Sequence, residues 1–367
     1  MNHLILLFSG VGNVAMSLPI VESVAGLQPA DHFVFVSARR LSDMFFAIPN
    51  LDFLETEGYA DDKPNKSSDA HRAMKSVFRL FEELKSRYAP FDDVIDLQND
   101  SRSRMLCRLL RFRGVRVYRV KRLRWRKLRL KQRGYYRSEP LPSLFELYRQ
   151  VFAEASLKSD TQFVSLPARR DIEQHLFQLY GRHETSVASA EREVWIGIAP
   201  FAKSKTNMLP YRKTKQILDV LSARTNVKLF LFGAGKAECE MLEQWAGLYP
   251  KTISVAGKLS LAEELELIRH LDVMLGMDSA NQHLSSLMGR EVVTVWCGTH
   301  THTGYYGWKQ DESNKIELPL SCRPCTNHGR NYCVYGNFRC QEIEVDDIIA
   351  KIDTLLSKQL NIEHIKH

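Results

Sequence analysis

Short apolar runs alternate along the whole chain with stretches whose apolar positions recur every three to four residues, and polar or glycine-bearing segments separate the two. Continuous apolar runs read as strands buried on both faces, and the longer period reads as amphipathic helix. In the first half the pattern predicts a strand at 4–8, a glycine turn Gly10-Val11-Gly12-Asn13, a helix at 14–27 and a strand at 32–36. The polar residues 61–70 predict a loop. Helices at 71–87, 103–112 and 143–155 then alternate with strands at 93–97 and 115–120, and 160–190 reads as a linker. The second half repeats the alternation, with strands at 194–199, 228–232, 253–255, 273–275 and 292–296. Its helices follow Pro210 and lie at 237–246, 261–270 and 345–358, with Ser260 and Glu263 spaced as a capping box. Such βαβ alternation predicts parallel sheets covered by helices on both faces. At 367 residues, and roughly 150 per domain, the chain holds two domains. The expected fold class is therefore α/β, with two Rossmann-like doubly wound domains at 1–175 and 190–345 facing each other across a cleft, closed by a C-terminal helix at 346–367.

The densest chemistry lies in 273–299. An apolar run is broken by Gly276-Met277-Asp278-Ser279, and Leu284, Leu287 and Met288 then repeat at helical spacing up to Gly289, a C-cap signal. A second apolar run, 292–296, ends in Cys297-Gly298-Thr299. In a strand–turn–helix of this kind the turn lies at the carboxyl edge of the sheet, where helix N-terminal N–H groups face a crevice fit for a diphosphate. Asp278 or Ser279 acting only as a helix cap is the structural alternative. The crowding of Asp278, Ser279 and His283 beside Gly298 and Thr299 favours a site.

Charge changes the picture in one place. Hydrophobic content of 44% and charged content of 26% are ordinary for a globular protein, and no apolar run approaches the ~20 residues of a membrane span. The N-terminal apolar stretch lacks a basic flank and a cleavage site, so the chain is expected in the cytoplasm. The net charge is +8, yet the basic segment 102–137 holds 16 Lys or Arg and no Asp or Glu, leaving 35 basic against 43 acidic residues elsewhere. Unneutralised charge on that scale calls for an anionic partner: membrane headgroups, a phosphorylated glycolipid or nucleic acid. Tyr118, Trp125, Tyr135 and Tyr136 interleave with it, as on a membrane-interface segment or a nucleic-acid surface. No RNA-binding signature accompanies the charge, which disfavours nucleic acid.

The 273–299 stretch resembles the donor-binding motif of the bacterial heptosyltransferases (glycosyltransferase family 9), inverting GT-B enzymes that act on lipopolysaccharide. Their form is Asp-Ser/Thr-Gly-x-x-His-Leu, then a strand and Phe-Gly-x-Thr. Here Ala280 replaces the glycine and Trp296-Cys297-Gly298-Thr299 ends the strand. The resemblance implies an ADP-heptose-like nucleotide-sugar donor on the second domain, held by Asp278, Ser279, Ala280, His283, Gly298 and Thr299. The family's phosphate-binding lysine, shortly before an aromatic-Pro pair, falls on Asn207, so Lys205 or Lys203 is expected to take its role. The family's general base is the aspartate of a Gly-Asp-Val turn, and Asn13 stands in its place. An amide accepts no proton at neutral pH. Asp96, Asp100 and His283 are the candidate substitutes, and a catalytically impaired member acting as a glycolipid- or nucleic-acid-binding protein is the rival reading. The first domain is implied to bind the acceptor, a lipid A-core glycolipid, through Gly10, Gly12, Arg122, Arg124 and Lys127, peripherally at the cytoplasmic face of the inner membrane. No paired-carboxylate metal motif lies near Asp278, so no cofactor is expected in catalysis.

Cys322-Arg323-Pro324-Cys325 with Cys333 and Cys340 gathers four of seven cysteines in one loop. The spacing fits a four-thiolate structural zinc site, with free reduced thiols as the alternative in a cytoplasmic chain. The family often carries a similar loop. Gly233-Ala234-Gly235-Lys236 lacks the spacing of a P-loop and reads as a sheet-edge turn. The His300, His302, Tyr305, Tyr306 and Trp308 loop reads as a border of the sugar or phosphate or as plain surface.

Overall fold

The computed structural model describes residues 1–8, 10–56, 67–134, 138–181 and 192–365. Most of the expected 61–70 loop, and Tyr135 and Tyr136, lie outside them. The chain divides into two compact units, Met1–Leu123 with Pro142–Phe163, and Arg124–Leu141 with Val164–His367.

The first unit runs β1 (Asn2–Leu6), α1 (Val11–Leu27), β2 (His32–Ser37), β3 (Leu51–Glu55), α2 (Ser67–Arg87), β4 (Asp93–Asp96), α3 (Ser101–Arg111) and β5 (Arg116–Arg119). Next in the chain, α4 (Arg124–Arg133) belongs to the second unit, and α5 (Leu144–Glu154) returns to the first. The first sheet has the order β3-β2-β1-β4-β5, every pair parallel. Leu4, Leu6, Val34, Val36 and Val94 form its core with Leu106 and Leu110 of α3. Burying such side chains stabilises the unit by about 1.5–3 kcal/mol each before entropy is counted.

The second unit continues through α6 (Arg170–Tyr180), β6 (Val194–Ala199), α7 (Tyr211–Ser222), β7 (Val227–Leu231), α8 (Lys236–Ala246), β8 (Thr252–Ser254) and α9 (Leu261–Arg269). It ends with β9 (Val273–Met277), α10 (Ala280–Leu287), β10 (Val292–Trp296), β11 (Lys315–Glu317) and α11 (Val345–Ile365). Its sheet is also wholly parallel, β11-β10-β9-β6-β7-β8. Ile348, Ile352 and Leu355 of α11 are buried in the same core as β6 and β9, so the C-terminal helix is part of this unit's packing. Ser260 and Glu263 make the expected reciprocal cap of α9. Gly289 sits at φ +69 just past the end of α10, a conformation that favours glycine.

Both sheets are doubly wound, as the alternation predicts. Each has a point where chain connections diverge: between β1 and β4 in the first, and between β6 and β9 in the second. Crevices outside the carboxyl ends of such strand pairs bind ligands in open α/β sheets.

Candidate functional site

At the carboxyl edge of the second sheet, loops after β6, β9 and β10 are tied together by one carboxylate. Asp278, at the end of β9, accepts hydrogen bonds on Oδ2 from the Thr299 hydroxyl at 2.6 Å and from Asn207 Nδ2 at 2.9 Å. Gln282 Nε2 approaches its Oδ1 at 3.4 Å. Burial pushes the Asp278 pKa up to about 6, against the Thr299 hydroxyl and the Arg323 guanidinium, which lower it. Asp278 therefore gains its charge within the physiological range, and its Oδ1 is the less engaged oxygen.

Neither Asp278 nor Ser279 caps α10. Ser279 occupies the N-cap position with no side-chain cap bond, and its buried Oγ has no hydrogen-bond partner among the described residues. The first-turn N–H groups, with Ala280 the first helical residue, are thus left without a side-chain acceptor, which makes that end a place for an anion. His283, one turn along, is 6% exposed, and its Nδ1 is unpartnered among the described residues. Burial lowers its pKa to about 3, so the imidazole is neutral and can offer hydrogen bonds but no charge.

Gly298 is demanded by close approach. Its N–H donates to Thr206 O at 2.6 Å, and an added Cβ would lie 2.7 Å from Thr206 Cβ and 2.8 Å from Thr206 O. Thr299 is buried, and its hydroxyl is spent on Asp278. Lys203 and Lys205 have exposed side chains on the loop after β6, with Lys205 opening the 3₁₀ turn Lys205–Asn207. Asn207 is buried on Asp278, so the position where a lysine was expected holds a bracing amide instead.

Two features of this region carried no sequence signal. Arg323 is fully buried and donates to the carbonyls of Trp296, Leu318 and Thr299 and, at 2.8 Å, to Glu317 Oε2. It locks the turn after β10. Glu264, in the first turn of α9, bonds Asn281 of α10, and burial pushes its pKa up to about 7.

The cysteine loop is stitched to the same turns. Cys325 N donates to Gly298 O, Arg330 N to the Thr206 hydroxyl and Thr206 N to Arg330 O. None of the seven cysteines is in a disulfide. Cys333 has its pKa lowered: burial opposes ionisation, but backbone N–H groups from Tyr335 to Phe338 overcome it. Such a cradle suits a thiolate ligand. Burial raises the Cys325 pKa and takes Cys340 up to about 12. Among the described residues, the one set of three metal-capable groups within 4.8 Å of one another is Glu173, Glu266 and His270, not the cysteines. That set is engaged in ion pairs, Arg269 Nε lying 2.8 Å from Glu266 Oε1.

In the first unit, Gly10 caps α1, Gly12 lies in its first turn, and Asn13 follows at the β1–β4 switch point. An added Cβ on Gly10 would meet nothing within 4 Å. Of the substitute bases, Asp96 is fully buried, ion-paired to Arg119 at 3.1 Å and bonded by Asn99 N at 2.6 Å. Asp100 caps α3 through Arg102 N and Ser103 N. Arg122 stays in the first unit, whereas Arg124 and Lys127 lie on α4 in the second. Lys127 Nζ sits 5.8 Å from the Tyr305 ring centroid.

The model of glycosyltransferase family 9 (heptosyltransferase) matches residues 77–334. The chain belongs to that family. No curated protein sequence matches it. Among solved structures, a family 9 glycosyl transferase from Veillonella parvula is 16% identical with a TM-score of 0.70, covering 97% of each chain. The E. coli ADP-heptose LPS heptosyltransferase II is 15% identical with a TM-score of 0.66, covering 98% of this chain and 99% of its own. The iron-containing dodecameric glycosyltransferase TibC of enterotoxigenic E. coli is 13% identical with a TM-score of 0.54, covering 98% of this chain and 77% of its own. At these identities the likeness is one of fold, and it agrees with the GT-B architecture expected for a family 9 glycosyltransferase. No helix among the described residues is long and apolar enough to cross a membrane.

Proposed function

We propose that the chain transfers heptose, with inversion, from ADP-heptose to a hydroxyl of a lipid-linked saccharide of the lipopolysaccharide core, at the cytoplasmic face of the inner membrane. The observation that carries this reading is the uncapped α10 N-terminus beside Asp278, at the switch point of the second sheet. In the transfer, the bond from the anomeric carbon to the diphosphate oxygen breaks and a bond from the acceptor oxygen forms on the opposite face. The charge left on ADP falls to the α10 N–H groups and to Lys205, with Lys203 behind it. Asp278 Oδ1 holds sugar hydroxyls, while Oδ2 keeps the three loops in register. His283, neutral, adds a hydrogen bond to the phosphate or its bound water.

Asn13 cannot take the acceptor's proton; it orients the hydroxyl, and the proton passes to solvent. A positioned base contributes about 10²–10⁴-fold, so turnover is slow. Asp96 and Asp100 are committed to holding their own loops, which favours this account over a relocated base. The same observations favour a second reading, a glycolipid-binding protein without turnover. Mixing the purified chain with ADP-heptose and core glycolipid separates the two. Acceptor-dependent ADP release supports transfer; ADP binding with no release supports the binding protein; no ADP binding refutes both.

Cys322, Cys325, Cys333 and Cys340 are assigned one structural metal ion, zinc or iron. Four thiolate donors have the chemistry such an ion takes; no three of these sulfurs lie within 4.8 Å of one another here, so binding it would draw them together and hold the loop closed against the donor turns.

A further inference from the structure

We infer that α4 and the tip of the cysteine loop form a docking platform of the second unit for an anionic phospholipid surface. The helix reads Arg-Trp-Arg-Lys-Leu-Arg-Leu-Lys-Gln-Arg, six bases in ten residues and no acid. One side of it is anchored. Leu130 is buried, and an added Cβ on Gly134, just past the helix, would lie 2.6 Å from Ser321 O, so the chain presses on the cysteine loop there. The other side is bare. Trp125 is 84% exposed and Leu128 is 43% exposed, and their i, i+3 spacing puts both on one face that continues to Lys131 and Gln132.

Lys131 and Gln132 form one wall of an open cavity of about 780 Å³, whose other walls include Cys322, Arg330, Val334 and Tyr335. On that far side Val334 and Tyr335 are 65% and 70% exposed. Arg330 lies over the Tyr332 ring, its guanidinium carbon 5.0 Å from the centroid. Large apolar side chains standing in solvent among cations, on two adjoining elements, are out of place on a surface that meets only water. They suit the boundary of a bilayer. There Trp and Tyr sit at headgroup level and Lys and Arg meet lipid phosphates. Charge complementarity selects the occupant: a neutral or basic surface gains nothing from six bases. The inference deepens the lipid-linked acceptor reading by naming the surface that meets the bilayer, and it can be tested without turnover.

The test uses the full chain with vesicles of phosphatidylethanolamine and phosphatidylglycerol free of any glycolipid, and phosphatidylcholine vesicles as control. Of the five tryptophans only Trp125 is exposed, so its emission reports the contact directly. The expected result is a blue shift and co-sedimentation with the anionic vesicles, weakened by salt, and little of either with the control. Each basic residue near such a surface is worth about 1 kcal/mol, so Arg129→Gln with Lys131→Gln should lower the partition coefficient about tenfold or more. Trp125→Ser with Leu128→Ser, and Tyr335→Ser alone, should also lower it, with ADP binding unchanged in every variant. Loss of ADP binding in the unaltered chain would instead count against the donor site and leave vesicle binding as a separate result. The inference is overturned by equal binding to both vesicle types or by unchanged partition in the Trp125/Leu128 variant. It is also overturned if the loss is seen only on Phe112→Ser in the first unit, or if a nucleic acid binds more tightly at the same salt.

Discussion

Replacing Glu264 by Gln keeps the shape of the side chain and removes its ability to ionise. In the folded chain it bonds the neutral Asn281, and burial moves its pKa from 4.5 up to about 7. Below pH 4.5 the carboxyl is protonated in both folded and unfolded chains, and the variant and the wild type should be equally stable. Between 4.5 and 7 the unfolded chain ionises while the folded one holds its proton, so wild-type stability falls as pH rises. Above about 7 both states are ionised and the deficit is constant. A shift of that size corresponds to about 3 kcal/mol. Glu264 is only partly buried by surface area, so solvent screening should leave about 1–2 kcal/mol. Glu264→Gln should therefore be stabilised by roughly that amount at pH 8, about 2–8 °C in Tm for a unit of this size, and by nothing at pH 4. Trp125, Trp195, Trp245, Trp296 and Trp308 all lie in the second unit, so tryptophan emission during urea unfolding reports that unit alone. A gain of the same size at pH 4.5 and 8.5, or a loss at pH 8, would refute the reasoning.

Asp278→Ala leaves the Thr299 hydroxyl and the Asn207 amide without their acceptor, a cost of about 1–3 kcal/mol, and ADP affinity by calorimetry should fall tenfold or more. In the wild type, donor affinity should weaken as pH falls below about 6, where Asp278 takes up a proton; a flat profile would count against its role. Asn13→Asp should raise acceptor-dependent ADP release by one to two orders of magnitude, and a collapse would show that the amide has a task of its own. Gly298→Ala forces a methyl against Thr206 and should cost about 1–3 kcal/mol, while Gly10→Ala, with open space around it, should unfold like the wild type. Arg323→Met removes a buried guanidinium that serves three carbonyls and Glu317, and the second unit's urea midpoint should drop by the equivalent of about 3–5 kcal/mol.

The sheets were legible because parallel strands buried on both faces leave uninterrupted apolar runs, as at β1, β6 and β10. What escaped lacks that cause. β3 is an edge strand with polar positions at Asp52 and Glu55, and no strand is predicted there. α6 buries only Leu176, so its residues resemble a linker. α4 has no full apolar stripe, and its helix rests on the propensity of Arg, Lys, Leu and Gln and on its anchor at Leu130. Because α4 was not recognised as a separate element, Arg122, Arg124 and Lys127 read as one group, whereas the chain passes from one unit to the other between Arg122 and Arg124. The turn chemistry of 276–299 was visible through its glycines and polar cluster, but Asn207 could be placed on Asp278 only in three dimensions. Contacts 71 residues apart leave no local pattern.

The cysteine loop then has a physical reason to exist whether or not it holds an ion. The turn after β10 must sit against Thr206, and nothing in the β10 sequence enforces that approach. Arg323 and Cys325 enforce it from outside, one through Trp296 and Thr299 carbonyls and the other through Gly298 O. Both residues lie within the Cys322–Cys325 span, so any fixing of those two sulfurs fixes the braces. Asp278 receives its two shortest bonds from the loops so positioned, one from Thr299 and one from Asn207. A thiolate clamp of the kind proposed would thereby set where Asp278, the proposed donor-binding carboxylate, points, and loosening it should be felt first as lost donor affinity rather than as lost fold.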